Sequence, residues 1–131
     1  MRLALPLILL ALQLLALPAR ADDAYDACLR EAEASMQEMG ACGGAWLERE
    51  DARLNEAWQA LLAELPEESQ PMLRDEQRAW LTYRDRTCLF YLDPATYGSI
   101  GRRLSYPSCR AFVIAQRTQA LNEILVSVAP Q

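Results

Sequence analysis

The clearest periodicity in the chain lies between Ala45 and Leu65, where Leu47, Leu54, Trp58, Leu61 and Leu65 follow at intervals of seven, four, three and four. That spacing puts all five on one stripe of a 3.6-residue helix, which Pro66 closes. Glu48, Glu50 and Asp51 would then occupy its first turns, where the macrodipole favours negative charge. A shorter helix is predicted before it, from Asp22 to Met39, with Ala24, Cys28, Glu31 and Ser35 on a weakly apolar stripe. The cluster Gly40-Ala41-Cys42-Gly43-Gly44 predicts a break between the two, because glycine continues a helix only at a cost.

Beyond Pro66, Ser69-Gln70-Pro71 reads as a cap with proline in the first turn, opening a third helix that runs to about Tyr91. Its inward stripe would be Leu73, Gln77, Trp80, Leu81, Arg84 and Cys88, half of it polar or charged in part. Residues Asp93 to Ser108, punctuated by Pro94, Gly98, Gly101 and Pro107, predict one long loop. Loops of this length in a compact domain are often functional. The last helix runs from about Tyr106 or Ser108 to Val128 and would bury Phe112, Val113, Leu121, Ile124, Leu125 and Val128. The fold class is therefore all-α, a small antiparallel bundle of about four helices in which the three longest run up, down and up.

A different pattern precedes these elements. After Met1-Arg2, the stretch Leu3 to Leu17 is apolar except for Pro6 and Gln13, and Ala19 and Ala21 supply the small-x-small pattern of a signal-peptidase site. A membrane anchor would need about 20 apolar residues. The reading is a signal peptide at 1–21, a helical domain at 22–131, and a periplasmic or secreted protein.

Charge then narrows the partners. Without Arg2 and Arg20, 11 arginines face 18 acidic residues, a net charge of -7, and no lysine is present. That balance argues against nucleic acid and against an anionic membrane surface after leader removal. It suits a cationic protein partner, although an acidic surface also serves solubility alone.

Four cysteines, Cys28, Cys42, Cys88 and Cys109, read as two disulfides in an exported chain of this size. With no histidine and no C-x-x-C spacing, a zinc site is disfavoured, and no metal or cofactor is expected. Three connectivities are open. The helix layout favours Cys28 with Cys42, tying the first helix to the bundle, and Cys88 with Cys109, clamping the base of the long loop.

Catalysis finds little support, since the commonest general base is missing and the serines lack a nucleophile-elbow context. The paired carboxylates Glu48 and Glu50, Glu67 and Glu68, and Asp75 and Glu76 read as solvated faces. The chain is therefore read as a binding protein and not an enzyme.

The run Gln77-Arg78-Ala79-Trp80-Leu81-Thr82-Tyr83-Arg84-Asp85 through Cys88 puts Gln77, Trp80, Arg84 and Cys88 on one helix face. Together with Leu54 and Asn55 upstream, Gly98 and Ser99, and then Cys109, Arg117 and Leu121, it resembles the lysozyme inhibitor LprI-like N-terminal domain family. Trp58, Gly40 and Ile114 depart from the tyrosine, asparagine and threonine usual in that family. The resemblance implies an exported, disulfide-bonded four-helix domain and, for some members, inhibition of lysozyme.

On that reading the partner is a protein, a cationic lysozyme being the leading candidate, met by Tyr97, Gly98, Ser99 and Arg102. Asn55, Gln77, Trp80, Arg84, Asp85 and Arg117 form a structural polar network, because an inward arginine must find carboxylate or carbonyl partners. The alternative is an envelope interaction module or small-ligand binder without lysozyme inhibition. A third class, a hydrolase, would need two carboxylates facing each other across a pocket.

Overall fold

The computed structural model describes residues 22–129, and the signal-peptide reading of 1–21 lies outside them. Helix α1 spans Asp23–Glu31, α2 Met36–Glu64, α3 Gln70–Thr87, α4 Pro94–Ile100 and α5 Tyr106–Val128. A 3-10 turn, Leu89–Leu92, precedes α4, and a π-helical turn, Gly101–Ser105, joins α4 to α5.

The break between α1 and α2 falls earlier than the glycines. It comes at Glu33 and Ala34, whose φ angles of 43° and 67° reverse the chain, and Ser35 then caps α2 through a hydrogen bond from Glu38 N–H. Ser35 is thus a cap and not part of a first-helix stripe. The glycine cluster runs on inside α2 because α5 passes close to it. A Cβ on Gly43 would lie 3.4 Å from the Pro107 ring, and one on Gly40 would lie 3.3 Å from the Arg103 carbonyl oxygen. At Gly40 the missing side chain admits a neighbouring backbone carbonyl, which offsets a helix-propensity loss of about 1 kcal/mol. One consequence is that Glu48, Glu50 and Asp51 sit in the middle of α2, where the macrodipole argument does not apply.

Helices α2 and α5 run parallel: Gly43 faces Pro107 and Ser108, and Ala57 shares a groove with Thr118 and Asn122. Helix α3 runs against both, since Arg110 meets Asp85 while Arg117 meets Glu76 and Gln77. This is the up-down-up order that the connections between the three long helices predict. The connection from α2 to α3 is sewn by Gln70, whose Nε2 donates to the Leu62 and Leu65 carbonyls at the end of α2.

The core joins Leu54, Ala57 and Leu61 of α2, Leu73 of α3, and Ile114 and Leu121 of α5, flanked by half-buried Leu47, Trp58, Leu65, Trp80, Ile124 and Leu125. Leu61, Ile114 and Leu121 are fully buried. The inward face of α5 differs from the expected one: Ala111, Ile114 and Arg117 are buried, whereas Phe112 and Val128 are 51% and 40% exposed. Spacings of three and four from Leu121 lead back through Arg117 and Ile114, and Phe112 falls on the opposite side.

The expected long loop is largely helical. Asp93 caps α4, accepting from the backbone N–H of Ala95 and Thr96, and Pro94 occupies the first turn. Gly98 kinks the segment at φ 56°. Gly101 lies so close to Tyr91 that a Cβ would clash with its carbonyl oxygen. Proline at a first helical turn and glycine at a close contact both read as loop signals when no partner is in view.

Candidate functional site

Two disulfides close the fold, Cys28–Cys42 and Cys88–Cys109, with Cα separations of 5.7 and 5.9 Å. The first ties α1 to the second turn of α2. The second joins the end of α3 to the first turn of α5 and so brackets the 3-10 turn, α4 and the π turn at one end of the bundle. Removing such a bridge costs about 3 kcal/mol in the loop-entropy account.

That bracketed end exposes large apolar side chains: Leu89, Phe90 and Ile100 are 49%, 63% and 53% exposed. Phe90 meets Tyr97 edge-on at 5.5 Å between ring centroids, and Tyr91 lies 5.0 Å from the same ring on a tilt. Tyr97 is therefore half-buried among aromatics, while Gly98, Ser99 and Arg102 are exposed. The segment carrying these residues is a short helix on a clamped base and not a projecting loop. The Asp93 carboxylate that caps it is held below the usual carboxylate range, chiefly by the Thr96 hydroxyl.

Along the shaft, the polar residues of α3 and α5 meet. Arg117 is 8% exposed; its Nε donates to Gln77 Oε1 at 2.9 Å and its Nη1 to Glu76 Oε1 at 2.6 Å. Its Nη2 is buried with no acceptor among the described residues. The Trp80 ring, 5.9 Å from the Arg117 guanidinium and 5.7 Å from that of Arg84, offers its negative face in part compensation. Arg84 and Arg110 both donate to Asp85 Oδ1, at 2.9 and 3.2 Å. These donors, Arg84 foremost, lower the Asp85 pKa.

Gln77, Trp80, Arg84, Asp85 and Arg117 are thus brought together. Asn55 instead lines the groove between α2 and α3, beside Gln77 and Arg84. Glu76 and Arg110 complete the contacts. The paired carboxylates Asp75 and Glu76 predict a solvated face for Glu76, and no periodic pattern marks Arg110 beyond its position seven residues before Arg117.

A second cluster went unforeseen. Trp46 Nε1 donates to Glu50 Oε1 at 3.0 Å, Arg53 donates to the same oxygen at 2.6 Å, and Trp46 stacks on Tyr25 at 4.6 Å. Glu50 is 4% exposed, so it is a buried, bonded carboxylate and not part of a solvated face. Glu50 and Glu123 both line a shallow groove between α2 and α5, but Glu50 is already engaged. Arg49 and Arg53 also reach the carboxylate of Asp22.

A family model described as lysozyme inhibitor LprI matches residues 28–121. The chain belongs to the LprI family. The matched span of this LprI chain begins at the first disulfide cysteine and ends at the core residue Leu121, so it takes in both bridges, the Arg117 contacts and the exposed apolar end. The family is one of inhibitors. No curated protein and no solved structure matches the LprI chain. Among its described residues, no helix is long and apolar enough to cross a membrane.

Proposed function

We propose that this LprI-family chain is an exported inhibitor that binds a cationic lysozyme through the end of the bundle bracketed by Cys88–Cys109. The observation that carries this reading is the exposure of Phe90, Leu89 and Ile100 on a covalently clamped segment, next to exposed Gly98, Ser99 and Arg102. Exposed aromatic and aliphatic groups on a rigid base suit a binding centre, because little conformational freedom is lost on docking. Tyr97 packs edge-on against Phe90.

The net charge of -7 over residues 22–131 acts at longer range, drawing a cationic enzyme toward the protein. Arg102 and Arg103 oppose that pull locally, so close contact rests on the apolar groups. The proposed place of action is the periplasm or the exterior, with a leader at 1–21 removed. It supports that boundary that Asp22, the first residue beyond it, caps α1 and binds Arg49. Gln77, Trp80, Arg84, Asp85 and Arg117 serve as the polar network that fixes α3 against α5.

A lytic assay tests the proposal: purified protein is added to a cationic lysozyme and bacterial cells at low and at high salt. Inhibition at micromolar protein that weakens with salt is expected. Undiminished lysis at low salt would remove the reading.

A further inference from the structure

The groove between α2 and α3 stands apart from the bracketed end. Its volume is about 420 Å³, and its walls are Asp51, Leu54, Asn55 and Trp58 of α2 with Arg74, Gln77, Arg78, Leu81 and Arg84 of α3. That size lies within the range of small-molecule sites, roughly 300–1,000 Å³. In a strongly acidic protein these walls carry three guanidinium groups against the single carboxylate of Asp51.

The carboxylates that pair with two of those arginines, Asp75 with Arg78 and Asp85 with Arg84, are not among the wall residues. Among the described residues, Arg74 donates to the neutral side chain of Gln70 and pairs with no carboxylate. The Arg78–Asp75 pair is about 70% exposed on both sides, and exposed pairs contribute little, so an incoming anion can compete for the guanidinium. Gln77 contributes a further donor. Its Oε1 accepts from Arg117, which leaves the amide NH2 as the free part of a side chain that lines the groove. Leu54, Trp58 and Leu81 supply the apolar part of the same lining.

The geometry points to a small-ligand site in this groove for a ring-bodied carboxylate, its ring on Trp58 and Leu81 and its oxygens among Arg74, Arg78, Arg84 and Gln77. Aromatic acids and sugar acids share that chemistry. Guanidinium groups suit it because they take a carboxylate with two parallel hydrogen bonds. This site is separate from the bracketed end proposed above to meet lysozyme.

The test is a titration of the protein, recovered from cells expressing the full chain, followed by amide and indole NMR shifts. Benzoate and glucuronate are the ring-bodied acids, benzamide is the neutral isostere of the first, and inorganic phosphate is the anion without a ring. Saturable shifts at the Trp58 indole and the Asn55 and Gln77 amides are expected with one or both acids, and benzoate binding alone or glucuronate binding alone identifies the aromatic or the sugar source. Benzamide binds at least about tenfold more weakly than benzoate if the guanidinium contacts contribute the ~1.4 kcal/mol that corresponds to that ratio. The double variant R74Q/R78Q, whose sites are both exposed, keeps its melting temperature and loses acid binding by a similar factor. Equal binding of benzoate and benzamide, phosphate binding without either acid, acid binding unchanged in R74Q/R78Q, or no saturable shift with any acid would overturn the assignment.

Discussion

Arg49 donates Nε and Nη2 to the two carboxylate oxygens of Asp22, at 3.0 and 2.9 Å, a bidentate contact that fastens the start of α1 to the middle of α2. The Asp22 side chain is 4% exposed and also caps α1 by accepting from Tyr25 N–H. One carboxylate thus serves a helix terminus, an ion pair and, through Arg53, a bridge toward the buried Glu50. Disulfide Cys28–Cys42 joins the same two helices nearby, so α1 is held by a covalent and an ionic tie.

This arrangement makes stability depend on pH. The Arg49 hydrogen bond is the main cause that holds the Asp22 pKa below its ordinary value. The folded protein therefore binds that proton less readily than the unfolded chain, whose aspartate titrates near about 3.9. The stabilisation is complete above that pH and is lost as pH falls through the lower folded value. Asp22→Asn retains a capping oxygen but removes the charge. Its melting temperature falls below wild type at pH 6, and the gap narrows toward pH 2. Thermal unfolding followed by circular dichroism at both pH values checks this; a gap that does not narrow would contradict it.

At the centre of the bundle, Arg117 acts as a spacer as much as a charge. Its partner Glu76 is 56% exposed and stays solvated if the arginine is lost, so the cost of truncation is chiefly packing and the Gln77 contact. Arg117→Ala is expected to lose about 2–4 kcal/mol in urea unfolding, by analogy with cavity-forming changes. Arg117→Met, which fills the same space beside Trp80 without burying Nη2, recovers at least half of that loss. Equal losses in the two variants would show that the charge itself dominates.

The glycines separate two physical roles. Nothing lies within 4 Å of a Cβ built on Gly44, which sits inside α2, so Gly44→Ala is expected to stabilise by about 0.5–1 kcal/mol through helix propensity. Gly101→Ala would drive a methyl into the Tyr91 carbonyl and costs at least about 1–3 kcal/mol. Chemical denaturation of both variants reads the two signs. Destabilisation by Gly44→Ala would mean that the glycine cluster is a turn.

That cluster also shows where sequence reading succeeds and where it stops. Periodic apolar positions such as Leu54, Leu61 and Leu73 declare their helices because each repeats within a few residues. The all-α class follows from such local signals; of the three open connectivities, the one favoured by the helix layout is the one observed. Gly40 and Gly43 do not declare their role, because the reason for them is Arg103 and Pro107 some 60 residues away. The same holds for Pro94, Gly98 and Gly101, which looked like loop breakers and instead begin, kink and pack a short helix.

The polar contacts divide in the same way. Gln77, Trp80 and Arg84 share a face by spacing alone, so their grouping was legible. Asn55 has the same polar character, but its position on α2 turns it into the groove. The pairing of Asp22 with Arg49 leaves no periodic trace at a separation of 27 residues.

The central claim is that the clamped end of this LprI-family domain inhibits lysozyme through its exposed apolar groups. It is tested most directly by measuring the inhibition constant of wild type beside the double variant F90A/I100A, with melting temperatures taken on the same samples. Both side chains are more than half exposed, so folding is expected to survive. The account predicts inhibition by wild type and at least about tenfold weaker inhibition by the variant, at an unchanged melting temperature. Equal inhibition by the two proteins, or none by either, would contradict it.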